Sequence, residues 1–428
     1  MTEGKTIVFF PEATFGPSMN CVGIAQRLRE GGHKPVFIAD SSFKGVFEKF
    51  GFPERMVAMS EPMEEAAASQ QWRDFIARHL PNFKLSAVEQ IPNYVLECWD
   101  EIVNTAVFVE EELGQALGEI QPDLICLDNV VLFPAIKRAG CPWVRIVSCS
   151  ENEITDPDIP PHLSGCGEND KACFEVFRSR FLECIKPAHE RFNAFLESVG
   201  ERPYPLGQFL ETSPTMNLLL YPEQLQFNRR NPLDPARFQY LEGCVREDEP
   251  YVLPKFLENN DKSLIYIGSG SMNEADVELN KRQIALLAKL PYRALMSVGN
   301  MVDEYGDVPD NVHLEPWLPQ PSVIPQVDLV IHHGGNNSFN ESLYFGKPAI
   351  IMPFCWDGHD NAQRVEDKGY GAQLRRYAWS DEEYASTLER LLNDKAMAAR
   401  LADVSAHMQK QDGRAKAAGI LIDILDQA

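Results

Sequence analysis

Two tandem histidines at a glycine turn, His332-His333-Gly334-Gly335-Asn336-Asn337-Ser338, are the residues of this chain best suited to chemistry on an anion. They follow a short apolar run, Asp328 to Ile331, and precede a segment with helical spacing, Ser338 to Phe345. A strand that turns through glycine into a helix presents unpaired backbone N–H groups and the positive end of the helix dipole to whatever lies beyond it. A phosphate suits that geometry best. His333 is the candidate to donate to it and to stabilise the charge growing on a phosphate leaving group. His332 belongs to the strand and is expected to be packed. A second junction of this kind, Gly268-Ser269-Gly270-Ser271, follows SLIYI and makes Gly270 and Ser271 further candidates for a phosphate oxygen. Alone it is weak, because glycine and serine are common wherever helices start.

The elements around these junctions alternate. Lys5 to Phe10 reads as a strand, Cys21 to Glu30 as a helix and Pro35 to Ile38 as a strand, a βαβ start with a right-handed crossover. The intervening loop, PEATFGPSMN, carries Glu12 and lies at the carboxyl end of the first strand, where open α/β sheets bind ligands. Pro122 to Asp128 is a strand ending on Asp128 at the same edge, and Pro142 to Ser148 is the next. The polar loop after it, SENEITDPDIPPHLSGCGEN, is long enough to imply a function or mobility. A helix is expected over Asp170 to Ser198, and Leu218 to Tyr221 reads as the last strand of the first half. Residues 222–260 have scattered prolines and little periodicity, which marks a linker. A second βαβ series begins at Lys262, continues through a strand at Arg293 to Val298, and closes with helices from Asp381 to Asn393 and from Lys395 to the end. Trp72, Phe75, Phe83, Tyr94 and Trp99 are read either as helix core or as walls of an apolar pocket.

Composition narrows the partners. A chain of 428 residues exceeds one compact core, so two domains are expected. The net charge of −23 repels nucleic acid and anionic lipid surfaces, while a nucleoside diphosphate can still bind through local backbone dipoles. No apolar run reaches the roughly 18 residues of a membrane span. The N-terminal apolar run is too short for a signal peptide, and the end of the chain, ILIDILDQA, is amphipathic, so a cytoplasmic location is expected. The ten cysteines include no CxxC pair, and reduced core thiols are expected.

Several spaced residues occur together: Trp317 with Gln320, then His333-x-Gly335-x-Asn337-Ser338-x-x-Glu341, then Gly346-x-Pro348, then Pro353 with Asp357. This set resembles the nucleotide-sugar signature of the UDP-dependent glycosyltransferases of family 1, and the resemblance extends more loosely over most of the chain. It implies an α/β protein of the GT-B fold, two Rossmann-like doubly wound domains facing a cleft. Residues 1–235 would bind the acceptor and 236–407 the nucleotide sugar, with a last helix at about 408–428 packing back on the first domain. By resemblance, Trp317 stacks on the base while Gln320 and nearby backbone read its edge, and Glu341 accepts from the ribose hydroxyls. His333, Asn337, Ser338 and the Gly270-Ser271 loop would meet the diphosphate, and Asp357 would hold sugar hydroxyls.

Two positions depart from the family pattern. The histidine that usually acts as base after the first strand corresponds to Pro17, although its orienting aspartate is matched by Asp128. Asp128 or Glu12 acting directly as base, an amine acceptor or an acidic acceptor would each accommodate that loss. The usual Asp-Gln is Asp357-Gly358, and His359 either substitutes for the amide or is simply exposed. The expected activity is inverting transfer of a hexose from a UDP-sugar to a small, largely apolar or aromatic acceptor. No cofactor and no metal are expected, since no DxD-type pair adjoins the phosphate site. The alternatives are a GT-B enzyme that cleaves or rearranges a glycosidic bond, and a nucleotide-sugar-binding pseudo-transferase that partners an active enzyme.

Overall fold

The computed structural model describes residues 4–61, 65–257, 261–268, 270 and 276–427, without the side chains of residues 65–69 and 72. Two parallel sheets carry the chain. The first has strands β1 (Thr6–Pro11), β2 (Lys34–Asp40), β3 (Glu54–Val57), β4 (Leu124–Asp128), β5 (Trp143–Val147), β6 (Met216–Leu219) and β7 (Phe238–Tyr240), in the order β3-β2-β1-β4-β5-β6-β7. The second has β8 (Leu264–Gly268), β9 (Arg293–Ser297), β10 (Val312–Glu315), β11 (Leu329–His332), β12 (Ala349–Ile351) and β13 (Gly371–Gln373), in the order β10-β9-β8-β11-β12-β13. Runs such as LICLD and LIYIG are buried along their whole length, as strands covered by helices on both faces must be.

Each sheet reverses its order beside its first strand, between β1 and β4 and between β8 and β11. A crevice opens at the carboxyl ends of the strands at such a switch point. The register sets what meets there: Pro11 pairs with Asp128 in the first sheet, and His332 pairs with Gly268 in the second. Glu12 therefore adjoins Asp128, and its N–H donates to the Asp128 carbonyl over 2.7 Å. By the same logic His333 adjoins Gly270.

The structure corrects several expectations. The first sheet does not end at Leu218 to Tyr221 or at residue 235, because β7 (Phe238–Tyr240) adds to β6 in parallel. The segment PEATFGPSMN is not all loop: the helix runs over Phe15–Glu30, so Pro17 lies in its first turn, where its missing N–H has no helical acceptor to lose. The C-terminal helix is broken into Lys395–Met408 and Gly413–Gln427. The second of these packs on the helix Phe15–Glu30, burying Ala417, Leu421 and Leu425 with Ala25 and Leu28. Each fully buried leucine there stabilises the crossing by roughly 1.5–3 kcal/mol. The cysteines are not all free thiols: Cys166 and Cys173, with Cα atoms 5.8 Å apart, form a disulfide. A seven-residue spacing across a loop and the start of a helix brings their side chains together, a pairing that spacing alone does not announce.

Phe83, Tyr94 and Trp99 are buried in one cluster together with Phe354. Phe83 meets the Phe354 ring at 5.2 Å, Trp99 lies 6.3 Å from Trp356, and the Tyr94 hydroxyl reaches Cys355 Sγ at 3.7 Å. These aromatics therefore join the two halves of the molecule. The side chain of Trp72 lies outside the described residues.

Candidate functional site

The helix Asn336–Tyr344 begins right after β11, with Gly335 at its N-cap, so its first N–H groups face the crevice. His333 lies in the turn between them. Its ring rests on the backbone of Gly270, where φ is 81° and a Cβ would lie 2.5 Å from the imidazole Cε1. No residue with a side chain fits there without moving the histidine. Burial lowers the His333 pKa to about 4, helped by the Arg376 charge and opposed by Asp276 and a backbone bond to Gly268. The imidazole is therefore neutral at physiological pH and carries a single N–H. Its buried Nδ1 has no partner among the described residues. His332 is packed as the sequence suggests, its Nδ1 accepting from the Gly334 N–H over 3.1 Å. Ser271 lies outside the described residues.

Glu341 follows on the same helix, buried among polar groups. Arg246 donates to its Oε1 over 3.0 Å and the Gln320 amide donates to its Oε2. Burial raises its pKa, and these two partners work against that rise. Gln320 also donates to Ser338 Oγ over 2.9 Å and accepts from the Tyr266 hydroxyl over 3.2 Å. Its side chain thus serves to fix the Ser338 and Glu341 side chains. It is not free to read a base edge, as the sequence led one to expect. Trp317, on the turn after β10, keeps its ring 55% exposed, an unusual state for so large an apolar surface and one that a stacked partner would cover.

Asn337 bridges to the first half of the chain. Its Oδ1 accepts from Asn20 over 2.9 Å, and its amide donates to the Gly16 carbonyl over 3.4 Å. Sequence reasoning missed Asn20 and Arg246, and no local signal could have found them, since each is brought in by a distant segment.

Asp357 precedes the helix Gly358–Lys368, half-buried, with its pKa raised to about 7. Burial is the main cause; Asp360 and Glu153 add to it, while His162 and the Asn336 N–H oppose it. The preceding residue, Trp356, has φ of 55°, a left-handed conformation that costs a bulky side chain on the order of 1–3 kcal/mol. Gly358 has a physical reason as well: a Cβ there would lie 2.7 Å from the His333 carbonyl oxygen, so the helix start and the histidine turn touch backbone to backbone. His359 packs against the first domain. Its Nε2 meets Gln90 Oε1 at 3.4 Å, its backbone packs against Gly165, and burial lowers its pKa to about 4. Of the alternatives left open for His359, simple exposure is corrected, since the side chain is half-buried against Gln90.

Across the crevice, Asp128 is 3% exposed. Ser148 donates to its Oδ1 over 2.7 Å and Cys21 Sγ stands 3.9 Å from Oδ2. Burial pushes its pKa well above the carboxylate range despite the Ser148 bond, with Glu153 and Glu12 adding to the rise. Its carboxylate is thus enclosed and already bonded by Ser148. Glu12 is half-buried, and its pKa is raised to about 7 by burial first and then by Glu153 and Asp357. Its carboxylate has no hydrogen-bond partner among the described residues. The charge of Glu153, itself paired with Arg145, raises the pKa of both Glu12 and Asp357. Among the described residues no group of three or more ligating side chains has the arrangement of a metal site.

Known proteins share this architecture. The family described as "Erythromycin biosynthesis protein CIII-like, C-terminal domain" matches residues 294–424. The chain is 23% identical over 322 residues to the NDP-glycosyltransferase YjiC of Bacillus subtilis (strain 168), spanning 74% of this chain and 76% of that protein. It is 24% identical over 326 residues to the oleandomycin glycosyltransferase of Streptomyces antibioticus, spanning 74% and 72%. The crystal structure of the glycosyltransferase VinC in complex with dTDP superposes with a TM-score of 0.69 at 18% identity, covering 99% of this chain and 100% of that one. That likeness shows the fold, two Rossmann-like domains facing a cleft. No helix among the described residues is long and apolar enough to cross a membrane. With its two switch points, its histidine turn and these relatives, the chain has the GT-B fold and is similar to nucleotide-sugar-dependent glycosyltransferases.

Proposed function

We propose that the protein transfers a hexose from a UDP-sugar to a small, largely apolar acceptor, with inversion and without a metal or cofactor. One observation carries the reading: the helix that follows Glu12 at the first switch point is bonded to the helix start behind the His333 turn at the second, Asn20 donating to Asn337 Oδ1 over 2.9 Å and Asn337 to the Gly16 carbonyl over 3.4 Å. A base, a sugar-holding carboxylate and a phosphate-binding helix start therefore converge on one crevice.

The diphosphate lies on the N-terminus of the helix Asn336–Tyr344, where neutral His333 donates a hydrogen bond and the backbone N–H groups meet the rest of the charge. Sugar hydroxyls bond Asp357. Glu12 takes the proton of an acceptor alcohol or phenol as its oxygen attacks the anomeric carbon from the face opposite the diphosphate, which leaves with the bonding electrons. Asp128 is set aside as base because its oxygens are enclosed by Ser148 and Cys21, whereas the Glu12 carboxylate has no such partner, and Pro17 has no proton-accepting group. A neutral amine needs no base for its attack, so N-transfer is open to the same site.

The nucleotide rests on Glu341. Its two oxygens keep lone pairs beyond the Arg246 and Gln320 bonds, enough to accept from two ribose hydroxyls, which favours UDP over the deoxyribose nucleotide bound in VinC. Glu341→Ala should weaken UDP binding roughly 10- to 100-fold and dTDP binding less, read by titration calorimetry with each nucleotide. The decisive experiment is mass spectrometry of products after incubation with UDP-glucose and a panel of phenols, alcohols and amines. A hexose adduct on an acceptor is the expected outcome, and a donor returned intact from every mixture would refute the transferase reading.

The backbone contact of Gly270 yields a further test. Gly270→Ala strains a left-handed residue and displaces the His333 ring, and a misplacement of about 1 Å lowers turnover by roughly a hundredfold. Activity measured beside a thermal melt should show that loss with little change in Tm.

A further inference from the structure

We propose that His162 hydrogen-bonds a hydroxyl of the donor sugar from across the domain gap, taking the place of the amide that Gly358 lacks. This rests on the donor-site reading above, in which Asp357 holds the sugar.

His162 lies in the long loop between β5 and the helix Lys171–Ser198, a stretch singled out by its length and polarity. The loop is clasped to the second domain through Asp360, which accepts from the Leu163 N–H at 2.7 Å, the Gly165 N–H at 3.0 Å and the Ser150 hydroxyl at 3.1 Å. His162 Nδ1 completes the clasp, 3.4 Å from Asp360 Oδ2 and 3.3 Å from Ser150 Oγ. With Nδ1–H directed at Asp360, Nε2 is the polar atom left over, a lone pair in the neutral ring and an N–H in the charged form that the Asp360 bond favours against burial. That atom is buried and has no partner among the described residues. A buried nitrogen left unpaired costs free energy, so its persistence points to a partner that arrives with a ligand.

Strain supports the same conclusion. Leu163, the next residue, is held at φ 70°, and Trp356 beside Asp357 at φ 55°, so the two sides of the gap each carry a bulky residue in the left-handed region. Such residues persist where the surrounding structure fixes a functional geometry.

Charge then selects the ligand group. The charges of Asp360, Glu153 and Asp357 all act on the His162 ring. An anion is repelled by that field, while a neutral hydroxyl, able to donate or to accept, suits it. Other sources for this contact are closed. A side chain at position 358 would collide with the His333 carbonyl, and His359 is occupied by Gln90.

The test compares binding of UDP and UDP-glucose by titration calorimetry in the wild type, His162→Phe and His162→Gln. Phenylalanine keeps the ring volume and glutamine keeps a hydrogen-bonding group. His162→Phe should leave UDP affinity within about twofold and weaken UDP-glucose roughly tenfold, with His162→Gln in between. Among single-deoxy UDP-glucose analogues, one should bind the wild type and His162→Phe alike, because it lacks the hydroxyl that the imidazole holds. Equal weakening of UDP and of every donor would reveal only a loosened loop and overturn the proposal, as would unchanged affinities throughout. A wild type that binds neither UDP nor UDP-glucose overturns the donor-site reading and this proposal together. Intact hexose discrimination by His162 with no transfer product overturns the transferase reading alone.

Discussion

His333→Ala should lower kcat by about two to three orders of magnitude, with a smaller change in the KM for the nucleotide sugar. The size follows from the usual loss when one preorganised donor to a developing negative charge is removed in a dry site. The asymmetry follows because a diphosphate still bonded to sugar carries less charge on its bridging oxygen than one that is leaving. Because burial holds the imidazole pKa near 4, its protonation leaves no trace in the pH–rate profile above about pH 5. Measuring kcat and KM for the wild type and His333→Ala over pH 5–9 checks both statements. A loss confined to KM would show that His333 binds substrate and transition state equally, and its catalytic role would be withdrawn.

Glu12→Gln should cost O-transfer about two to four orders of magnitude, the range expected when a general base is deleted. The sign of the pH dependence is set by its environment. Burial and the charges of Glu153 and Asp357 raise its pKa to about 7, so Glu12 is protonated and inactive as a base below that value and ionised above it. The wild-type rate for an alcohol acceptor should rise with pH through about 7 and then level, and Glu12→Gln should abolish that rise. Transfer to an aromatic amine should be far less affected, since its lone pair is already free. Asp357 titrates in the same range, so the variant is what assigns the inflection to Glu12. Equal loss for alcohol and amine acceptors would mean that Glu12 positions the substrate instead of taking its proton.

Much of the donor side is legible in the sequence because its parts are close together in the chain. From Trp317 to Asp357 the chain runs through one strand, one turn, one helix and a second strand, and short-range geometry alone orders these elements. Helical spacing puts Ser338 and Glu341 on one face, and glycine at the turn exposes the helix start. The acidic ends of β1 and β4 are legible for a related reason, since the alternation of strand and helix already says which strand ends share an edge.

The remainder was decided by contacts between segments far apart in the chain. Asn20 reaches Asn337, Arg246 reaches Glu341, and the loop around His162 closes on Asp360. Burial likewise separates two carboxylates that look alike in the sequence: Asp128 and Glu12 end neighbouring strands, yet one is enclosed by Ser148 and Cys21 and the other is half-buried. The helix start at Phe15 and the Cys166–Cys173 disulfide escaped notice because glycine with proline reads locally as a loop and cysteine spacing does not specify pairing. By itself the sequence determined the two-sheet architecture and the glycine-rich histidine turn, both products of local periodicity and turn chemistry. Only the tertiary structure decided which side chains share the crevice and which of them keep a charge, because desolvation and Coulomb energy depend on distances that span the two domains.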